Sequence, residues 1–78
     1  MSPEQARAAR AWLNWSQADL AKAANVGLST LKDFEAGNRT PIANNLAAIR
    51  QALEAKGVEF VNDGKGKPKG LHVNGRSR

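Results

Sequence analysis

Apolar residues along this chain fall first into groups with helical spacing and then into groups with alternating spacing. Ala6, Ala9 and Leu13, with Arg10 among them, recur every three or four residues and share one face of a first helix. Ser2-Pro3-Glu4-Gln5 ahead of them is a helix start: Ser2 can cap, Pro3 suits the first helical position, and Gln5 completes a capping box. The helix is predicted to run to about Leu13, where Asn14 can take the left-handed conformation that closes it. A second helix is predicted after the cap Ser16, with Asp19 three residues on, Leu20, Ala21 and Ala24 on its apolar face, and an end near Asn25. A third runs from about Leu28 to Ala36, turns Leu31 and Phe34 inward and is closed by Gly37. A fourth is predicted to open at Thr40-Pro41 by the same cap-and-proline signal, to bury Leu46, Ile49 and Leu53, and to stop at Gly57.

After Gly57 the period changes. Val58-Glu59-Phe60-Val61 and Leu71-His72-Val73 read as two short strands linked by the glycine- and lysine-rich stretch Asp63–Gly70. The expected fold is therefore mainly α, with four helices over residues 1–57 and a β-hairpin with a basic tail over 58–78. A lone hairpin is marginal in water, so this one must pack on the helices or pair with another chain. It is the expected dimerisation element. Trp15 is expected in the core. Trp12 either covers the hairpin or sits at a subunit contact.

With 78 residues the chain makes one domain with a thin core. It has no Cys, so neither a disulfide nor a thiolate metal site is available. Its formal net charge of +5 and pI near 10.3 suit an anionic partner such as nucleic acid. Residues 1–57 carry seven basic and five acidic residues, a net +2, whereas residues 58–78 carry five and two, a net +3. No acid follows Asp63, so the tail is either a solvated terminus or a phosphate contact. No apolar run is long enough to span a membrane, and Met1-Ser2-Pro3-Glu4 does not begin a signal peptide, so a cytoplasmic location is expected.

The informative segment is Gln17 to Gly37. Two short helices are joined by a tight turn at Asn25-Val26-Gly27. Leu20, Ala24, Val26, Leu31 and Phe34 fall where such a pair buries its crossing point, and Ala21 is small where the second helix comes close. The start of the later helix is left exposed and able to enter a major groove.

At this segment the chain resembles the XRE family, which includes the repressor and Cro proteins of lambdoid phages. The residues that carry the resemblance are Arg10, Ser16-Gln17-Ala18-Asp19-Leu20-Ala21, Asn25-Val26, Ser29-Thr30-Leu31 and Phe34-Glu35-Ala36-Gly37-Asn38-Arg39-Thr40-Pro41. It covers roughly residues 6–55. It implies a lambda-repressor-like DNA-binding domain whose recognition helix is 28–36. Gln17 would contact a phosphate, aided by neighbouring backbone N–H groups. Leu28, Ser29, Lys32 and Asp33 would face the groove, with Thr30 beside them in the same DNA-binding set. Asn38, Arg39 and Thr40 would grip the DNA backbone. Arg10 and Glu35 match an ion pair that braces the first helix against the third.

The chain departs from that pattern at Asn25, where the family usually has Gly, and at Gly27, where Ser or Thr often caps the recognition helix. Leu28 replaces a position that is often polar, which suggests contact with a thymine methyl or a sugar edge. Asp33 either accepts from a cytosine amino group or lowers non-specific affinity. Beyond Lys56, strands replace the rest of the commonest five-helix plan.

The expected function is that of a sequence-specific transcriptional regulator, a repressor, that binds a pseudo-palindromic double-stranded operator as a homodimer. Small proteins of this type also serve as antitoxins, which implies a toxin as an alternative partner. A protein-interaction module that has lost DNA binding is a third reading, supported by Gly27, Leu28 and Asp33. Nothing points to an enzyme, a metal or a cofactor. His72 is the one histidine and reads as a strand side chain. Gly64-Lys65-Gly66-Lys67-Pro68 lacks the spacing and the hydroxyl residue of a phosphate-binding loop.

Overall fold

The computed structural model describes residues 1–62 and 68–73, with residues 62 and 68–73 as backbone. Among the described residues, helices α1 (Pro3–Leu13), α2 (Gln17–Ala24), α3 (Leu28–Glu35) and α4 (Ala43–Glu54) precede strands β1 (Val58–Asn62) and β2 (Pro68–Val73).

Local chemistry sets the first two helix starts. The Gln5 N–H donates to Ser2 Oγ at 3.1 Å while Gln5 Oε1 accepts from the Ser2 N–H at 2.8 Å. Ser16 and Asp19 repeat this reciprocal box ahead of α2, both bonds at 3.0 Å. Each box satisfies donors that a helix start otherwise leaves orphaned. The first three helices close alike. Asn14, Asn25 and Gly37 take positive φ of 58°, 57° and 78°. The next residue's N–H then reaches back five residues: Trp15 to Arg10 O at 2.9 Å, Val26 to Ala21 O at 3.0 Å and Asn38 to Asp33 O at 2.9 Å. These are Schellman closures, with asparagine twice in the place glycine usually takes.

α4 departs from the expected start. Pro41 is buried and Ile42 is extended, so the helix begins at Ala43 with Ile42 as an N-cap that makes no side-chain hydrogen bond. Burial of the proline ring, rather than its preference for a first helical turn, decides where this residue sits.

Leu20, Leu31, Ile49, Leu53 and Val58 are fully buried, and Ala6, Ala9, Leu13, Ala21, Ala24 and Phe34 are buried around them. The alanines bring helix axes close, and the larger side chains fill the centre. Leu46, Val26 and Trp15 lie at the edge of this core, half-buried rather than central. The Lys56 ammonium stands 5.8 Å over the Trp15 ring, so that ring covers the core and faces a cation at once. Arg50 stands over Phe60 at the same distance.

β1 and β2 are antiparallel, with Val58 opposite Val73, Glu59 opposite His72 and Phe60 opposite Leu71. A register shift falls between Val61 and Asn62, beyond which Asn62 pairs with Pro68. β2 thus starts earlier than the expected Leu71. Its first residue is a proline, a position where the missing N–H is tolerated. The remainder of the expected linker, residues 63–67, and the basic tail after Val73 lie outside the described residues. The hairpin packs back on the helices, β2 against α1 and β1 against α4. Gln5 Nε2 donates to Val61 O at 3.2 Å and ties the two layers together.

Candidate nucleic-acid interface

α2 and α3 pack against each other, and Ala21 on α2 and Leu31 on α3 are both buried. The turn between them is tight because Asn25 accepts the left-handed conformation and returns the chain at once. α3 is then divided lengthwise. Leu31, Phe34 and Glu35 are buried, whereas Leu28, Ser29 and Lys32 are exposed and Thr30 and Asp33 are half-buried. Leu28, Ser29, Lys32 and Asp33 stand at the i, i+1, i+4 and i+5 positions of one outward stripe. Gly27 caps this helix without a side-chain hydrogen bond, so the donors of its first turn have no side-chain partner from the cap.

The C-terminal end of α3 is bound tightly. Glu35, 2% exposed, accepts Arg10 Nε and Arg10 Nη2 at 2.8 Å each, a bidentate ion pair. Arg10 Nη1 donates onward to Trp15 O at 2.9 Å. The pair that the resemblance implies is thus formed, and it fixes α1 against α3. Two further contacts escape sequence reasoning. Gln17 Nε2 donates to Glu35 Oε1 at 3.1 Å, and Arg7 Nη1 donates to the Glu35 main-chain carbonyl. The signal for Arg7 was present, since it precedes Arg10 by three residues and shares its side of α1. Nothing in spacing alone announces the Gln17 contact, which joins residues 18 apart.

Gln17 keeps a role open toward solvent. A primary amide carries two N–H donors, and Glu35 takes one. The hydrogen-bonded carboxylate therefore orients the amide at the start of α2. The Gln17 and Ala18 main-chain N–H groups stand beside it, in the first turn of the helix.

Beyond Glu35 the loop through Asn38, Arg39 and Thr40 is exposed. It borders an open cleft of about 280 Å³ that Met1, Pro3, Phe34 and Leu46 also line. Among the described residues the ion pairs are Arg10–Glu35 and Arg50–Glu54, so Lys32 and Arg39 have no carboxylate within 4.0 Å. The buried charge of Glu35 is compensated, and the outward cations Lys32 and Arg39 are not. No group of His, Cys, Asp and Glu able to hold a metal occurs among the described residues, and no helix there is long and apolar enough to cross a membrane.

Two short helices with a buried crossing, and a second helix whose start is exposed, define a helix-turn-helix domain. A helix-turn-helix family model matches residues 7–60, most of the chain, from α1 into β1. The protein belongs to this repressor- and Cro-type helix-turn-helix family, also called XRE, whose members are DNA-binding transcription regulators. A comparison with curated proteins gives no match.

Proposed function

We propose that this protein is a sequence-specific transcriptional repressor that acts in the cytoplasm as a homodimer and reads a pseudo-palindromic operator with α3 in the major groove. The observation that carries the reading is the lengthwise division of α3: one stripe is buried in the core, and Leu28, Ser29, Lys32 and Asp33 form the other. An α-helix fits the major groove, where each base pair offers a distinct donor and acceptor pattern. Ser29 and Lys32 bring hydroxyl and ammonium donors. Asp33 accepts from a cytosine amino group, and Leu28 packs on a thymine methyl. Thr30 supports the same contact set. Gln17, Asn38, Arg39 and Thr40 gather at the C-terminal end of α3 and hold phosphates, which position the helix without specifying sequence.

Dimerisation is supported by the thin core and by the two-stranded sheet, whose outer edges have no partner strand among the described residues. Trp12 on α1 and Val61 on β1 are exposed large apolar residues, at 43% and 38%. Two copies related by a two-fold axis read half-sites about 10 base pairs apart. Sedimentation over a concentration series, with and without DNA, tests the dimer. A strict monomer throughout removes it.

Selection of binding sites from a random duplex pool tests the function. The expected result is a palindromic winner preferred about a thousandfold over scrambled DNA. Weak, wholly salt-driven binding with no preferred sequence overturns direct readout. The exposed Leu28 and the uncapped Gly27 then favour a protein partner, of which a toxin is the first to test by co-purification.

A further inference from the structure

Arg7 lies one turn before Arg10 on α1, and its guanidinium reaches the end of α3, where Nη1 donates to the main-chain carbonyl of Glu35. Glu35 is the last residue of α3, and the loop carrying Asn38 and Arg39 leaves directly after it. The carboxylate of the same residue holds Arg10 and Gln17. Side chains from α1 and α2 therefore converge on one residue at the root of the loop that flanks the recognition helix.

Their charges differ. The positive charge of Arg10 is neutralised by a carboxylate at 2.8 Å. Arg7 is held by a neutral carbonyl. No carboxylate among the described residues lies within 4.0 Å of it, and Glu4, one turn earlier, makes no ion pair with it. Arg7 is exposed. A guanidinium has five N–H donors in a rigid fork, and the carbonyl engages one nitrogen. What is left is a charged fork fixed in place and open to solvent. An exposed arginine is usually mobile and loses rotamer freedom when it binds. This one is already anchored, so less ordering opposes capture of an anion. Double-stranded DNA presents that anion repeatedly, at roughly one phosphate per 3.4 Å of axis on each strand.

We infer that Arg7 is a DNA-backbone contact, anchored through Glu35 so that it donates to a phosphate oxygen beside those held by Gln17 and the Asn38–Arg39 loop. The inference rests on the proposal that the α3 face is the DNA interface. It assigns α1 a direct part in binding, in addition to its part in the core.

The test is the salt dependence of binding to the selected operator, followed by fluorescence anisotropy from roughly 50 to 200 mM KCl, with the full chain. Wild type is compared with Arg7→Ala, Arg7→Gln and Arg7→Lys, each checked by circular dichroism to be folded. Arg7→Ala and Arg7→Gln are expected to lower the slope of log K against log salt by about 0.9 per protomer. Their deficit relative to wild type then shrinks roughly threefold per protomer across that salt range. Arg7→Lys, which keeps the charge, holds the slope near the wild-type value, and all variants select the same bases. A wild-type slope in Arg7→Gln overturns the contact, as does an Arg7→Lys slope as low as that of alanine. If wild type shows no salt-dependent DNA binding, the interface reading fails before this inference is reached.

Discussion

At its C-terminal end α3 is fixed by side chains from both preceding helices, whereas the N-terminal cap, Gly27, contributes no side-chain hydrogen bond. Glu35 is buried and accepts from Arg7, Arg10 and Gln17. Gly27 is exposed, and a Cβ built on it would meet only Thr30 Oγ1, at an ordinary 3.6 Å. The difference separates two requirements of a reading helix. Its orientation must be set by the body of the protein, and its leading turn must be open to a ligand. The anchored end does the first, at the expense of burying a charge. The bare end does the second, with a weaker helix start than α2 enjoys at Ser16.

Removing the anchor has the largest expected effect. Arg10→Ala leaves a buried carboxylate without its ion-pair partner, which costs about 3 kcal/mol or more. A domain of this length has roughly 4–12 kcal/mol in total, so urea denaturation resolves the loss easily. Glu35→Ala is expected to cost less, because Arg10 is 19% exposed and its guanidinium can turn toward water. A loss below about 1 kcal/mol in Arg10→Ala means that the anchor lies elsewhere. Next in size is the cap of α2. Ser16→Ala removes the acceptor for the Asp19 N–H and lowers stability by about 1 kcal/mol. Thermal melts of this variant show whether the well-capped start carries the weight assigned to it. The smallest effect has the opposite sign. Gly27→Ser supplies the missing cap at a φ of −64° that any residue accepts, and raises stability by about 0.5 kcal/mol. If Gly27→Ser destabilises instead, the bare end is held by something other than its own backbone.

The starts of α1 and α2 and the ends of the first three helices were legible in the sequence because their causes are local. Capping boxes and left-handed closures operate within five residues. Thr40-Pro41 carried an equally local signal and misled, because tertiary burial of Pro41 overrode it and moved the start of α4 to Ala43. Pro68 also read as a linker residue, yet it can begin a strand when its absent N–H is not needed. Of the candidate site, the inward Leu31 and Phe34 were readable from periodicity, and the outward stripe of α3 and the Arg10–Glu35 pair from family resemblance. The links of Arg7 and Gln17 to Glu35 span 28 and 18 residues and exist only once three helices are packed. Trp15 was expected in the core, and its position after α1 leaves it at the rim, under Lys56.

The central claim is that the outward stripe of α3 reads bases while its flanks hold the backbone. Parallel site selection with wild type, Asp33→Asn and Arg39→Ala, from one random duplex pool, tests it most directly. Asp33→Asn is predicted to change the preferred base at one position of each half-site, by about 1–3 kcal/mol of discrimination, and to leave the rest of the operator intact. Arg39→Ala is predicted to weaken every sequence alike and to keep the wild-type consensus. Selection of the wild-type consensus by Asp33→Asn, with a changed consensus in Arg39→Ala, contradicts the account.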